Sequence, residues 1–327
     1  MNIKKIGLTA LAGSLVATSA YAGELSVSGG ATITYSEFSG TSATSVTNAA
    51  ASGNWGMDQD INFTGSGELD NGFVVSLSHN IDQSFDTSTI TLDMGDMGTL
   101  AYSDIEVGGG LFDLDDITPT AWEEATDGPA DVVQAGMTSG NGFSYALPTI
   151  AGASISIAYS DNLSAADVDD GAVSGATVAN PDNGASHSIG IQYPVGDSGV
   201  TVYGGIGTQS QADGNDIDHS TVGIKGTFGA VSVGIQRNDQ DDTAASSPTD
   251  LETTIIGVSY LINENLSISY GTHNTSRDGA VDQEIDSFQA AYSMGGVSVK
   301  AQNSKGEGIA NAAATSEKTE ISISFAF

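Results

Sequence analysis

Apolar residues recur at every second position along most of the chain. They alternate with Ser, Thr, Gly or Gln in "ELSVSGGATITY" (24–35), "DINFTGSGEL" (60–69), "GASISIAYS" (152–160), "SHSIGIQY" (186–193), "STVGIKGTF" (220–228), "AVSVGIQR" (230–237), "TIIGVSY" (254–260), "NLSISYGTH" (265–273) and "GVSVKAQN" (296–303). Successive side chains of a strand point to opposite sides, so each run predicts a strand with one apolar and one polar face. Helical periodicity is scarce.

The connections sharpen this picture. Tight polar or glycine turns fall at 69–72, 94–98, 147–152, 194–199, 228–230, 262–265 and 294–296. Longer polar segments fall near 37–55, 83–86, 105–140, 161–185, 209–218, 239–251, 274–283 and 304–316. Seven short turns alternating with eight longer loops predict sixteen strands, with both termini at the short-turn end. We place the strands at 24–36, 56–69, 71–82, 86–94, 97–105, 140–147, 151–161, 186–194, 199–208, 218–227, 230–239, 252–262, 265–274, 284–293, 296–304 and 316–327.

Strands of about ten residues, tilted by some 40°, span the ~25 Å apolar band of a membrane. Closure into a cylinder leaves no unpaired backbone edge in lipid. The predicted fold class is therefore all-β, a 16-stranded antiparallel transmembrane β-barrel. Parity then assigns Val27, Ile33, Ile61, Leu77, Ile157, Ile191, Val222, Ile268 and Val299 to the lipid face. Ser28, Thr32, Asn62, Ser76, Ser156, Gln192, Thr221, Ser269 and Lys300 fall on the polar face. Tyr145, Tyr193, Phe228, Tyr260 and Tyr292, near the short turns and of outward parity, predict an aromatic girdle. The last run, "ISISFAF" (321–327), reads as the strand that pairs with 24–35 to close the cylinder, with Phe327 in the girdle.

Charge and leader narrow the function. "MNIKKIGLTALAGSLVATSAYA" combines Lys4 and Lys5, an apolar run and Ala20-Tyr21-Ala22, a secretory signal peptide over 1–22 with cleavage after Ala22. The mature domain is then 23–327. No cysteine is present, so no disulfide framework braces the exported chain. No later stretch reaches the roughly 18 apolar residues of a membrane helix. Eight basic residues stand against 41 acidic ones, and none of the basic ones falls between Ile6 and Ile224. A basic surface for nucleic acid or anionic lipid is excluded.

Candidate chemistry is thin. "GDSG" (196–199) resembles a serine-protease nucleophile stretch, but it lies on a short turn with no histidine motif to serve it. His79, His187, His219 and His273 lie on different strands at no metal-ligand spacing. The acidic clusters 113–116, 167–170 and 239–242 leave open weak Ca²⁺ or Mg²⁺ binding, although none matches an EF-hand. No cofactor is expected.

A signal peptide, sixteen alternating strands, a long loop after the fifth and Phe327 at the end together resemble the Gram-negative general porins. The resemblance covers the whole mature chain. It implies a homotrimer in the outer membrane, in contact with lipid and lipopolysaccharide, with Phe327 read by the barrel-assembly machinery. It also implies that the loop 105–140 folds inward as a constriction. That loop carries Glu106, Asp113, Asp115, Asp116, Glu123, Glu124, Asp127 and Asp131 and no basic residue. Family members face it with several Arg and Lys, and the following strand often reads N-S-I-R-Y-D-S-P; here "NGFSYALP" has Ser144 at the Arg position. The opposing wall is left with Lys225, Lys300 and Lys318 as inward-parity cations, while Asp58, Asp60, Glu68 and Asp93 add lumenal acid. The expectation is passive diffusion of small hydrophilic solutes and ions through a water-filled, cation-preferring pore. A substrate-selective channel and a secreted β-rich adhesin or structural protein are the alternatives.

Overall fold

A computed structural model describes residues 25–41, 53–82, 84–105, 107–129, 132–137, 140–161, 183–211, 216–242 and 250–327. The leader 1–22, Glu106, Asp131 and the cluster 167–170 lie outside the described residues. Sixteen strands follow in order: β1 (Ser26–Gly40), β2 (Asn54–Glu68), β3 (Val74–Asp82), β4 (Ser84–Asp93), β5 (Thr99–Ser103), β6 (Gly142–Ala146), β7 (Ser154–Ser160) and β8 (Asn183–Pro194). Then come β9 (Val200–Gln211), β10 (Asp216–Phe228), β11 (Val231–Asp242), β12 (Leu251–Asn263), β13 (Leu266–Arg277), β14 (Gln283–Met294), β15 (Val297–Glu307) and β16 (Thr315–Ala326). Each pairs antiparallel with its neighbours in sequence, and β16 returns to β1, closing the barrel.

The closing register runs from Gly30 opposite Ala326 to Gly40 opposite Ser316. At the short-turn end the tightest hairpins use Gly229 (φ 65°) and Gly295 (φ 63°), a left-handed backbone that a Cβ would strain. Strand boundaries shift by up to a few residues from expectation, and two of the differences bear on the loops. The strands flanking the long loop shrink to five residues each; Asp104 still bonds Ser88 of β4 through its amide (3.1 Å), and the chain turns into the loop beyond it. In addition, β3 ends at Asp82 and β4 begins at Ser84, so the connection expected over 83–86 is almost all strand.

The two faces separate as parity requires. Val27, Ile61, Leu77, Ile157, Ile191 and Val222 are all exposed. Thr221, next to Val222, is buried, as are Ser188 beside Ile189 and Gln289 beside Phe288. Four of the five expected girdle aromatics, Tyr193, Phe228, Tyr260 and Tyr292, are likewise exposed. Large apolar side chains thus cover one face, while the most completely buried side chains of the opposite face include Gln, Ser and Thr. This inverts the plan of a water-soluble barrel, whose apolar side chains fill the inside.

Candidate functional site

Residues 107–129 and 132–137, between β5 and β6, lie along the polar face, and side chains of that face meet their backbone. The Gly110 and Leu111 amides donate to Ser156 Oγ on β7 (2.8 Å) and Ser188 Oγ on β8 (3.0 Å). Farther along, the Ala121 amide donates to Ser269 Oγ on β13 (2.9 Å) and the Ala135 amide to Thr253 Oγ1 on β12 (3.2 Å).

Glutamines do most of the holding. Gln236 on β11 accepts from the Ile117 amide (2.7 Å) and donates to the carbonyls of Leu114 (2.6 Å) and Asp115 (2.8 Å). Gln289 on β14 accepts from the amides of Trp122 (2.9 Å) and Glu123 (3.1 Å) and donates to Glu123 O (2.6 Å). Gln283, also on β14, exchanges bonds with Val133, and Gln302 on β15 donates to Glu123 Oε2 (2.7 Å). All four are buried. An irregular segment carries backbone groups with no ladder to satisfy them, and a carboxamide supplies a donor and an acceptor at once. These glutamines were not singled out in the sequence, where an inward Gln looks like any other wet-wall residue.

Local apolar contacts complete the seat. Leu114 and Ile117 pack with Tyr203 of β9. A Cβ on Gly109 would lie 3.0 Å from that of Ser144, so the segment's backbone passes close to that position of β6.

The carboxyl groups are not equivalent. Asp113 and Asp115 are exposed, whereas Asp116, Glu123 and Glu124 are partly buried. Burial pushes the Glu124 carboxyl to about 8, with Asp115, Asp116 and Asp127 adding repulsion. Burial also raises Asp116, Glu123 and Asp127; Lys225 opposes it at Asp116, and Lys318 at the other two. At neutral pH the segment is therefore less negative than its formal count.

The three inward lysines stand on the section of wall that the segment lies against. Lys225 Nζ sits 5.5 Å from the Tyr203 ring centre, and Lys300 Nζ 5.7 Å from that of Trp122 within the segment itself. Lys318 pairs with Glu320 (2.5 Å) and donates to the Asp127 carbonyl (3.0 Å), and Ser36 Oγ donates to the same Glu320 (2.7 Å). Two of the other basic residues are outside this group: Arg237 pairs with Asp239 and Glu252, and Lys305 with Glu317. On the polar parity of β2 and β4, Asp58, Asp60, Glu68 and Asp93 have no basic residue near them in sequence. Among the described residues no group of His, Asp or Glu is arranged to hold a metal ion.

A family profile described as Gram-negative porin matches residues 7–302. Among solved structures, a porin refined at 1.8 Å resolution superposes with a TM-score of 0.68 at 16% identity, over 93% of this chain and 100% of that one. An anion-selective porin from Comamonas acidovorans gives 0.67 at 12% identity, over 93% and 99%. A mutant of the Rh. blastica porin gives 0.60 at 16%, over 93% and 100%. No curated protein matches by sequence alone. Gram-negative porins are passive channels of the outer membrane rather than enzymes, and with sixteen strands closed antiparallel and the profile spanning nearly the whole chain, this protein belongs to that family.

Proposed function

We propose that the protein is a homotrimeric general-diffusion porin that passes small hydrophilic solutes and ions, with a constriction over 105–140 and a preference for cations set by the acidic groups of that segment and of the wall across from it. The observation that carries this reading is the seat of 107–137. Several of its hydrogen-bond partners, among them Ser188, Gln236 and Gln289, alternate with exposed apolar residues such as Ile189, Ile235 and Phe288, which supports an inward position for the segment. It takes the wall lysines with it. The segment's outer edge and the β2–β4 wall are then both acidic, and a passage between them concentrates cations. The anion-selective relative shares the fold at 12% identity, which carries no information about charge in this lumen.

Export through the 1–22 leader gives a mature chain beginning at Gly23, in contact with outer-membrane lipid and lipopolysaccharide. The barrel-assembly machinery would engage the β16 end at Phe327. Small outward residues on β1 such as Ala31 suit close contact between barrels. Reversal potentials in a KCl gradient across a planar bilayer test the reading. A cation-side potential at low salt that declines as salt shortens the Debye length from about 8 Å toward 3 Å supports it. An anion-side potential refutes it.

A further inference from the structure

A second segment shares the polar face with 107–137. Between β15 and β16, residues 309–311 form a single 3-10 turn whose Ile309 and Asn311 are buried. Ile309 lies over Gly306, where a Cβ would overlap its Cδ1 and would meet Pro129 Cβ at 3.4 Å. Gly306 has the polar-face parity of Gln302 and Ser304, so Ile309 enters from inside the barrel and touches the same glycine as the first segment. Asn311 then donates from Nδ2 to the Val281 carbonyl (3.0 Å), while the Val281 amide donates to Asn311 O (3.3 Å).

The backbone pays for this seat. Ala310 (φ 55°) and Asn311 (φ 52°) are consecutive left-handed residues with side chains. Such conformations persist only where surrounding contacts over-determine them. Here one side chain supplies the link. Gln283 Oε1 accepts from the Val133 amide (3.1 Å) and from the Ala310 amide (3.2 Å), and its Nε2 donates to Val133 O (2.6 Å). Gln283 is fully buried and projects from β14 between the two segments.

We propose that the passage is narrowed by two coupled segments, 107–137 and 309–311, and that Gln283 is the positioning residue that locks one to the other. The inference rests on the reading of 107–137 as the constriction. Losing the carboxamide removes this shared partner from three backbone groups of the two segments, so the link between 132–137 and 309–311 is lost and both loosen at that point. Solute size cut-off and current noise then report on a residue that lines no part of the open passage.

The test is single-channel recording of the full-length protein in planar bilayers with three variants. Gln283→Leu keeps the volume and removes the clamp. It should raise conductance on the order of 1.5-fold with added open-channel noise, as expected when a pore-lining segment loosens. In the Gln283→Leu background, Val133→Cys with Ala310→Cys introduces the protein's only two cysteines at positions whose amides share one acceptor. Oxidation to the disulfide should return conductance and noise to the parent values, and reduction should release them; a merely structural defect would not be rescued. Removal of 112–128 is the control for the underlying reading. If that deletion raises conductance while Gln283→Leu does not, the coupling is wrong and the constriction stands. If neither changes it, the constriction reading itself fails. Should Gln283→Leu not fold, Gln283→Asn decides, because it keeps a carboxamide but shortens its reach: parent conductance and noise in that variant overturn the coupling.

Discussion

Gly29 and Phe327 close the barrel by exchanging both backbone hydrogen bonds, Gly29 N to Phe327 O at 2.9 Å and Phe327 N to Gly29 O at 3.0 Å. The Phe327 ring lies over the outer face of Gly29. A Cβ there would come 3.1 Å from Phe327 Cε2 and 2.8 Å from the Asp60 carbonyl on the other flank. Glycine therefore stands where a Cβ would crowd both β2 and the residue after β16.

Gly29→Val should accordingly hinder closure. Overpacking a filled site costs about 1–3 kcal/mol, and here the cost falls on the seam between first and last strands. Urea unfolding from detergent, followed by the loss of the compact band on unheated gels, should show a lower midpoint for Gly29→Val. Ala31→Val, on the same face two residues on, should leave it nearly unchanged.

How much of this was legible beforehand depends on which interactions the sequence records. Strand number, closure and face were readable because Ile157 and Ser156, or Val222 and Thr221, differ in polarity at period two, and only one parity can face lipid. The shortness of β5 and β6 was not. Where the chain leaves β5 for the loop depends on partners far away in sequence that hold the loop's backbone, such as Ser156 for Gly110 and Gln236 for Ile117. The acidic residues of 105–140 were visible as a composition. Their unequal ionisation was not, because it follows from burial against a wall that no local pattern encodes. The same holds for the lysines: parity placed Lys225, Lys300 and Lys318 inside, but not on the section that the acidic segment covers.

Lys318 should act as the peg at the end of that segment. Its ammonium joins Glu320 to the Asp127 carbonyl within a nearly buried site, with 12% of the Lys318 and 8% of the Glu320 side chain exposed. Removing one partner of a buried pair costs about 3 kcal/mol or more, because the other charge is left without compensation. Lys318→Met is expected to free the region around 123–128 and raise proteolytic cleavage there. Lys318→Met combined with Glu320→Gln should recover much of the loss. Equal cleavage in parent and single variant would remove Lys318 from this role.

Acidity should tighten the segment. Glu124 titrates near 8 when docked, against 4.5 for an ordinary glutamate. A carboxyl whose pKa is raised in the docked state favours docking fully below about 4.5, and the advantage is lost as pH rises through about 8. Over the same interval the segment gains negative charge. Open-channel noise and cation preference should therefore both rise between pH 6 and 9. Glu124→Gln should flatten the part of each curve centred near pH 8. Identical curves for parent and variant would show that another group titrates there.

The two acidic surfaces should contribute unequally to selectivity. On the segment, burial raises the pKa of Glu123, Glu124 and Asp127, that of Glu124 to about 8, and Lys318 opposes the shift at Glu123 and Asp127. Asp58 on β2 is exposed and Asp60 beside it half-buried, opposite Thr32 and Gly30 of β1, with no lysine or arginine on β1–β9. A fixed charge acts on a passing ion in proportion to its ionised fraction and inversely to the screening between them. Asp58→Asn with Asp60→Asn should then move the KCl reversal potential toward zero by more than Glu123→Gln, Glu124→Gln and Asp127→Asn together at pH 7. At pH 9 the difference should narrow, since Glu124 ionises. A larger shift from the segment at both pH values would place the selectivity filter on 107–137 alone, and the wall of β2 would be a bystander.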